Sequence, residues 1–315
     1  MTGAEQRQLD ERGFVLLHDF IPLPLLEELR KEVERVDAEE GGRAGSEFRK
    51  EPHTRRLALV LIALGGGLGW LLALAGQGHL FGSLPVDFYV PEGYSFLILF
   101  GLPHLALARS GLLGGFLLLF GALSELEPRR WLPRSLSAGL CWAVMGLCVP
   151  FYVAVLYALL GGWGLAAWIT LRRFPWALFW RAAVGAAVAL PVLLYSAVVF
   201  AANDVLAEWS SQNRLPSPHV LHAVFGYIAL AVPALWGTRW AWRRSARSGD
   251  LRYLLLAAWV ASAPVLAYLP VNVQRRLAEG VIAPLVILAV AGLRLISRRR
   301  RRRVLARNIV LALAL

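Results

Sequence analysis

Asp87 and Glu92 stand on either side of Val90-Pro91, in a polar interruption between two apolar blocks. A carboxylate at such a position is what a general base needs to activate an acceptor hydroxyl. The same oxygens suit a divalent ion that holds a phosphate. Asp87 and Glu92 are therefore the catalytic candidates, although an ordinary solvated loop would have the same composition. Arg275-Arg276 is the sharper signal, because guanidinium forks bind phosphate through two parallel hydrogen bonds. Asn272, Gln274 and Glu279 surround the pair. The competing reading is an anchor for lipid head groups, or an internal salt bridge from the pair to Glu279. Gln274, Arg275, Arg276 and Glu279 are binding candidates, joined by Asn213 in the stretch Gln212-Asn213-Arg214. His104 completes the set: it follows Pro103 inside an apolar run, where a polar group needs a partner. His219 and His222 share one helical face, but without a paired carboxylate motif they define no metal site, and the residues point to no particular cofactor.

The elements that must position these residues are apolar. Hydrophobic residues make up 57% of the chain and charged residues only 17%, with mean hydropathy +0.55. A soluble domain of this length carries more charge and spreads its apolar residues periodically. A helix needs about 20 apolar residues to cross the hydrocarbon core, and blocks of that kind run over 57–76, 94–123, 135–167, 176–200, 218–237, 251–269 and 281–296. The block 94–123 is too long for one straight span, and Pro103 and Arg109 interrupt it. The block 135–167 reads as two short spans broken near Pro150. A short apolar stretch, 304–315, follows. The fold class expected is all-α: a polytopic transmembrane bundle of about eight spans with a small soluble N-terminal segment. The division expected is 1–50 for a soluble cytoplasmic segment and linker, and 51–315 for the membrane domain. No signal peptide is expected, since the first apolar block begins after Arg56.

Arginines fall between the blocks rather than over a folded surface, which sets aside nucleic acid as the partner of this +12 chain. With the N-terminus inside, cytoplasmic loops hold Arg129, Arg130, Arg134, Arg172, Arg173, Arg239, Arg243, Arg244, Arg247, Arg252 and the run Arg298–Arg303. The other side receives Arg214, Arg275 and Arg276 along with Asp87, Glu92, Asp204, Glu208 and Glu279. This asymmetry matches the positive-inside rule and places the protein in an inner membrane with a cytoplasmic N-terminus, in contact with anionic lipid. Arg275 and Arg276 run against the trend, so something other than topology is expected to hold them outside. Asn203, Asp204 and Glu208 are expected on the rim of the same outer cavity. Trp131, Trp163, Trp168 and Trp209 read as an interfacial aromatic belt, and Cys141 and Cys148 as buried thiols rather than a disulfide framework.

Two resemblances follow from particular motifs. Glu11-Arg12-Gly13-Phe14-Val15-Leu16-Leu17 through Glu27-Glu28-Leu29-Arg30, within residues 11–37, resembles the opening of the phytanoyl-CoA dioxygenase family, a short strand followed by an amphipathic helix. That family holds iron with a His-x-Asp pair. Here His18 and Asp19 are adjacent and no His-x-Asp occurs, so dioxygenase activity is not expected. The motifs Asp87-Phe88-Tyr89-Val90-Pro91-Glu92, Phe100-Gly101-Leu102-Pro103-His104-Leu105-Ala106, Gln212-Asn213-Arg214-Leu215-Pro216-Ser217-Pro218 and Leu269-Pro270-Val271-Asn272-Val273-Gln274-Arg275-Arg276 resemble the later spans of C-type bacterial membrane glycosyltransferases. The resemblance implies transfer of a sugar from a polyprenyl-phosphate donor on the outer side. It also implies a chain that lacks the family's first catalytic loop, since the dioxygenase-like piece stands where the early spans would be. The alternatives are a non-catalytic or transporter-like membrane protein, or a fused or truncated gene product. Against transport, no internal repeat and no charge deep in a span is read from the sequence.

Overall fold

Three consecutive glycines decide how the apolar part of the chain begins. Gly65-Gly66-Gly67 weaken a helix at each step, and the block 57–76 is split there. In the computed structural model, which describes residues 52–212 and 214–296 and the single positions 24, 27, 28, 31 and 310, helix α1 (Pro52–Leu64) stops at the glycines and α2 (Gly69–Leu74) restarts beyond Leu68. Two short helices follow, α3 (Val86–Tyr89) and α4 (Ser95–Gly101), with a 3-10 turn at Pro91–Gly93 between them. Prolines then punctuate the chain, since the residue before a proline avoids helical geometry and proline itself is preformed for a first turn. Helix α5 (Pro103–Leu123) and α6 (Pro128–Cys148) both start on proline, and α7 (Tyr152–Leu171) starts after the break at Pro150. Arg109 does not interrupt the block 94–123 as expected: the break falls at Leu102, and Arg109 lies inside α5. After α8 (Trp176–Ala202) and α9 (Asp204–Gln212), the long α10 (Val220–Ser248) closes on Gly249 at φ 69°, the left-handed cap that glycine takes without strain. Helix α11 (Arg252–Ala267), a 3-10 turn at Gln274–Ala278 and α12 (Ile282–Ile296) complete the order.

Among the described residues the protein is all-helical, with no strand. Four helices among the described residues are long and apolar enough to cross a membrane: α5, α7, α8 and α10. The expected number of spans is not reached by that measure, for physical reasons that differ by element. At about 1.5 Å per residue, the 16 residues of α11 fall short of a hydrocarbon core about 30 Å thick, and α12 is described only as far as Ile296. Helix α6 opens on Pro-Arg-Arg-Trp-Leu-Pro-Arg, so its first turns are polar. Helix α8 shows the membrane character most directly: only 11% of its apolar stretch is buried inside the protein. An apolar surface of that extent is compatible with lipid and costly in water.

The chain divides into two units, Met1–Arg55 and Arg56–Leu315. The dioxygenase-like strand and amphipathic helix, the run Arg298–Arg303 and, Val310 apart, the stretch 304–315 lie outside the described residues. Within the second unit, two apolar cores form. One gathers α5, α6, α7, α8 and α11 around Phe116, Trp142 and Trp163. The other gathers α1, α3, α10 and α12 around Leu61, Tyr94, Leu230 and Leu288. Helices α10 and α12 approach so closely that a Cβ at Gly292 would lie 1.8 Å from the Pro233 carbonyl oxygen, the small-residue contact by which apolar helices pack when no water drives them together. Trp163 departs from the expected belt: it is fully buried and donates its indole N–H to the Leu251 carbonyl at 2.8 Å. Trp168 and Trp209 are exposed. Cys141 and Cys148 are half-buried free thiols.

Hydrogen bonds sort the connections into two ends. Arg181 donates to the Glu125 carbonyl and Trp163 to that of Leu251 at one end. At the other, the Leu215 N–H donates to the Asn272 carbonyl at 2.6 Å and the Tyr268 hydroxyl to that of Pro218 at 2.9 Å. The second end carries the candidate site.

Candidate functional site

Arg109 is the organising residue. It points inward from α5, about 9 Å along the helix from Pro103 at 1.5 Å per residue, and its side chain is 8% exposed. All three of its nitrogens are engaged. Nε donates to Glu279 Oε1 at 2.6 Å, Nη1 to Ser95 Oγ at 3.2 Å, and Nη2 to the carbonyls of Glu92 at 2.6 Å and Pro91 at 3.3 Å. Glu279 has no exposed side-chain surface. Its backbone is held as well, because Trp259 of α11 donates its indole N–H to the Glu279 carbonyl at 3.0 Å and the next residue, Gly280, donates to the Glu92 carbonyl at 3.0 Å. The ion pair ties the two apolar cores together, since Arg109 belongs to α5 and Glu279 leads into α12.

Glu92 completes the network. Its carboxylate reaches Arg276 Nε at 3.3 Å, with the Glu92 side chain 2% exposed and that of Arg276 38% exposed. Burial pushes the Glu92 carboxyl above its ordinary range, with Glu279 pushing the same way and Arg276 and Arg275 opposing. Arg275 lies with its guanidinium 4.9 Å from the centre of the Tyr89 ring, a cation–π contact. Two buried polar atoms in this neighbourhood have no hydrogen-bond partner within the protein, Glu92 Oε2 and Arg275 Nε, while the Tyr152 hydroxyl lies beside Glu279. Native interiors satisfy most such groups, so this carboxylate and this guanidinium each retain unused hydrogen-bonding capacity.

Gln274 has a supporting task. Its side-chain oxygen accepts the Ser217 N–H at 3.1 Å, and Ser217 Oγ in turn donates to the Ala267 carbonyl. Together with the Leu215–Asn272 bond and the Asn272 side-chain donation to the Ser210 carbonyl at 3.3 Å, this laces 214–218 to the arginine-bearing turn.

Asp87 belongs to a neighbouring arrangement. Its Oδ2 accepts the N–H groups of Gly67 and Gly69, both at 3.1 Å, across the break between α1 and α2. Burial pushes its carboxyl upward, against the pull of these backbone donors. Tyr94 donates to the Gly226 carbonyl at 2.8 Å and stacks on Tyr227 at 5.1 Å. The Leu68 N–H donates to the Phe225 carbonyl at 3.1 Å, and a Cβ at Gly67 would lie 2.5 Å from the Gly226 Cα. The broken segment thus seats its backbone directly on α10.

The sequence-derived candidates distribute unevenly over this geometry. Glu92, Arg275, Arg276, Gln274 and Glu279 come together, while Asp87 staples the helix break. The salt bridge to Glu279 that was the competing reading of Arg275 and Arg276 does not form; the pairs present are Arg109–Glu279 and Arg276–Glu92. His104 is exposed on the first turn of α5 and takes no part in the cluster. Asn213 lies outside the described residues. Asn203, Asp204 and Glu208 are exposed and serve α9 itself, Asn203 Oδ1 accepting the Leu206 N–H at 3.1 Å. His219 stacks on Phe81 at 4.4 Å, whereas His222 is buried with Nε2 2.5 Å from the Leu80 carbonyl. Among the described residues no cluster of three or more His, Cys, Asp or Glu side chains is placed to hold a metal ion. Ser95, Tyr152 and Trp259 join the site without a sequence signal. Arg109 had one, as a lone charge within an apolar block.

In comparison with known proteins, no family model, no curated protein and no solved structure matches the chain.

Proposed function

We propose that the chain is an integral inner-membrane protein, N-terminus inside, that recognises a lipid-linked phosphodiester, a polyprenyl-phosphate sugar, at Arg275 and Arg276. In this reading the broken α1–α2 pair, α6, α11 and α12 cross alongside the four long helices, giving eight crossings, with the site at the outer end. The observation that carries it is the arginine pair itself. Two guanidinium groups project from one short turn at the end away from the arginine-rich loops, and Arg275 keeps a buried Nε unpartnered. That is a donor arrangement suited to phosphate oxygens. Glu92, beside the pair, is the carboxylate left for acid–base work on a bound sugar, because Asp87 is committed to two backbone N–H groups.

A binding titration in nanodiscs tests this. Replacing both arginines with glutamine should weaken binding of a polyprenyl-phosphate sugar by several kcal/mol, at about 1.5–3 kcal/mol per charged contact. The double lysine variant should recover part of that, since a point charge replaces the planar fork. Equal affinity for wild type and the glutamine variant would refute the assignment.

The transporter-like alternative also has a specific observation in its favour. Arg109, read from the sequence as an interruption of an apolar block, lies inside α5 and forms a buried ion pair with Glu279, next to a discontinuous helix. Both features recur where solutes cross a membrane. Uptake of a solute by proteoliposomes, without binding of the lipid-linked sugar, would select that reading.

A further inference from the structure

Arg276 cannot meet a phosphate without giving something up, because it already neutralises Glu92. The groups facing Glu92 can be named from every side. Arg275 and Arg276 come from the turn Gln274–Ala278 and Glu279 directly follows it, while Arg109 comes from α5, Tyr152 from α7 and Tyr227 from α10. Arg109 is fully occupied by Glu279, Ser95 and two carbonyls, and Arg275 is seated on Tyr89. Arg276 is the partner with more than a third of its side chain in the open, and so the one able to turn outward. Once it does, Glu92 is left in the interior beside the negative Glu279, with Oε2 already lacking a hydrogen bond. An ionised carboxylate in that position is strongly disfavoured, and neutralisation by a proton is the usual outcome.

We infer that a phosphodiester entering the site draws Arg276 away from Glu92 and that Glu92 takes up one proton from solvent as it does so. Ligand binding and proton uptake are thus a single event. The inference rests on the phosphate-binding reading above and adds its regulation. The balance is simple: one proton moves from bulk water to a Glu92 oxygen on binding and returns on release. A phosphodiester keeps one negative charge throughout the neutral range, so the ligand does not supply the proton. Because the bound state holds more protons, affinity should fall as pH rises, by roughly tenfold per pH unit over the range where one proton is taken up.

The test is calorimetry on the full chain in nanodiscs at neutral pH, run in two buffers with different ionisation enthalpies. A polyprenyl-phosphate sugar is titrated in one arm and phosphatidylglycerol in the other, to separate a lipid-linked donor from a bulk lipid head group. Wild type should absorb close to one proton per ligand. Glu92→Gln should bind at least as tightly, with no proton uptake and no dependence on pH. Should that variant fail to fold, Arg276→Gln replaces it: its Glu92 is already protonated, so residual binding through Arg275 should proceed without proton uptake. Binding by wild type with no net proton uptake, or undiminished uptake in the Glu92→Gln protein, overturns the coupling and leaves phosphate binding intact. Folded wild type that binds neither lipid removes the phosphate-binding reading and the coupling with it.

Discussion

At the scale of single residues, the Arg109–Glu279 pair is the most consequential contact and the least visible in sequence. Its two members are 170 positions apart, and nothing in residue type tells which of the arginines meets Glu279. The nearest candidates along the chain were Arg275 and Arg276, and proximity misled because the turn at Gln274–Ala278 presents both toward α3 and Glu92 instead. A buried pair costs most when broken on one side, since the remaining charge is stranded. Arg109→Gln or Glu279→Gln should each lower stability by about 3–5 kcal/mol, measured by denaturant unfolding in detergent. The double replacement should cost less than the sum of the two. Additive losses would mean that the pair does not act as a unit.

Among the elements, the break between α1 and α2 deserves the closest attention. The glycine triplet that causes it is plain in the sequence. What fastens it is not, because Asp87 reads equally well as a catalytic acid on an outer loop. Only the fold shows its carboxylate receiving two N–H groups from the restarted chain, which helix-end donors require from some partner. Asp87→Ala should release them at a local cost of about 1–3 kcal/mol, read as faster hydrogen exchange at Gly67 and Gly69 with α6 unchanged. Unaltered exchange at both glycines would show that the staple contributes nothing. The breaks at Pro103 and Pro150 that open α5 and α7 were legible, because a proline acts on its own neighbours and needs no distant partner, whereas α6 begins at Pro128, ahead of the block read from residue 135.

For the molecule as a whole, long apolar blocks anticipated the helices, and the separation of arginines from acids along the chain is the basis of the proposed orientation. The count of crossings was less legible, since block length in sequence does not reveal where polar first turns or an early stop shorten a helix. Topology is testable with an impermeant thiol reagent in intact cells, on a background lacking Cys141 and Cys148. Glu92 and Glu279 are poor reporters, being buried. Cysteines at the exposed Asp204 and Asn272 should label, and those at Arg130 and Arg243 should not. The reverse pattern would invert the protein in the membrane. The bond from Trp259 to the Glu279 carbonyl has a practical consequence of its own. This indole packs at 5.5 Å from Phe116 in the interior while touching the segment that carries the site's deepest carboxylate. An indole held between an apolar core and a charged backbone turn is a built-in optical dye, whose emission colour follows the local electric field. With the other eleven of the twelve tryptophans replaced, Trp259 would report on the charge network without any attached label.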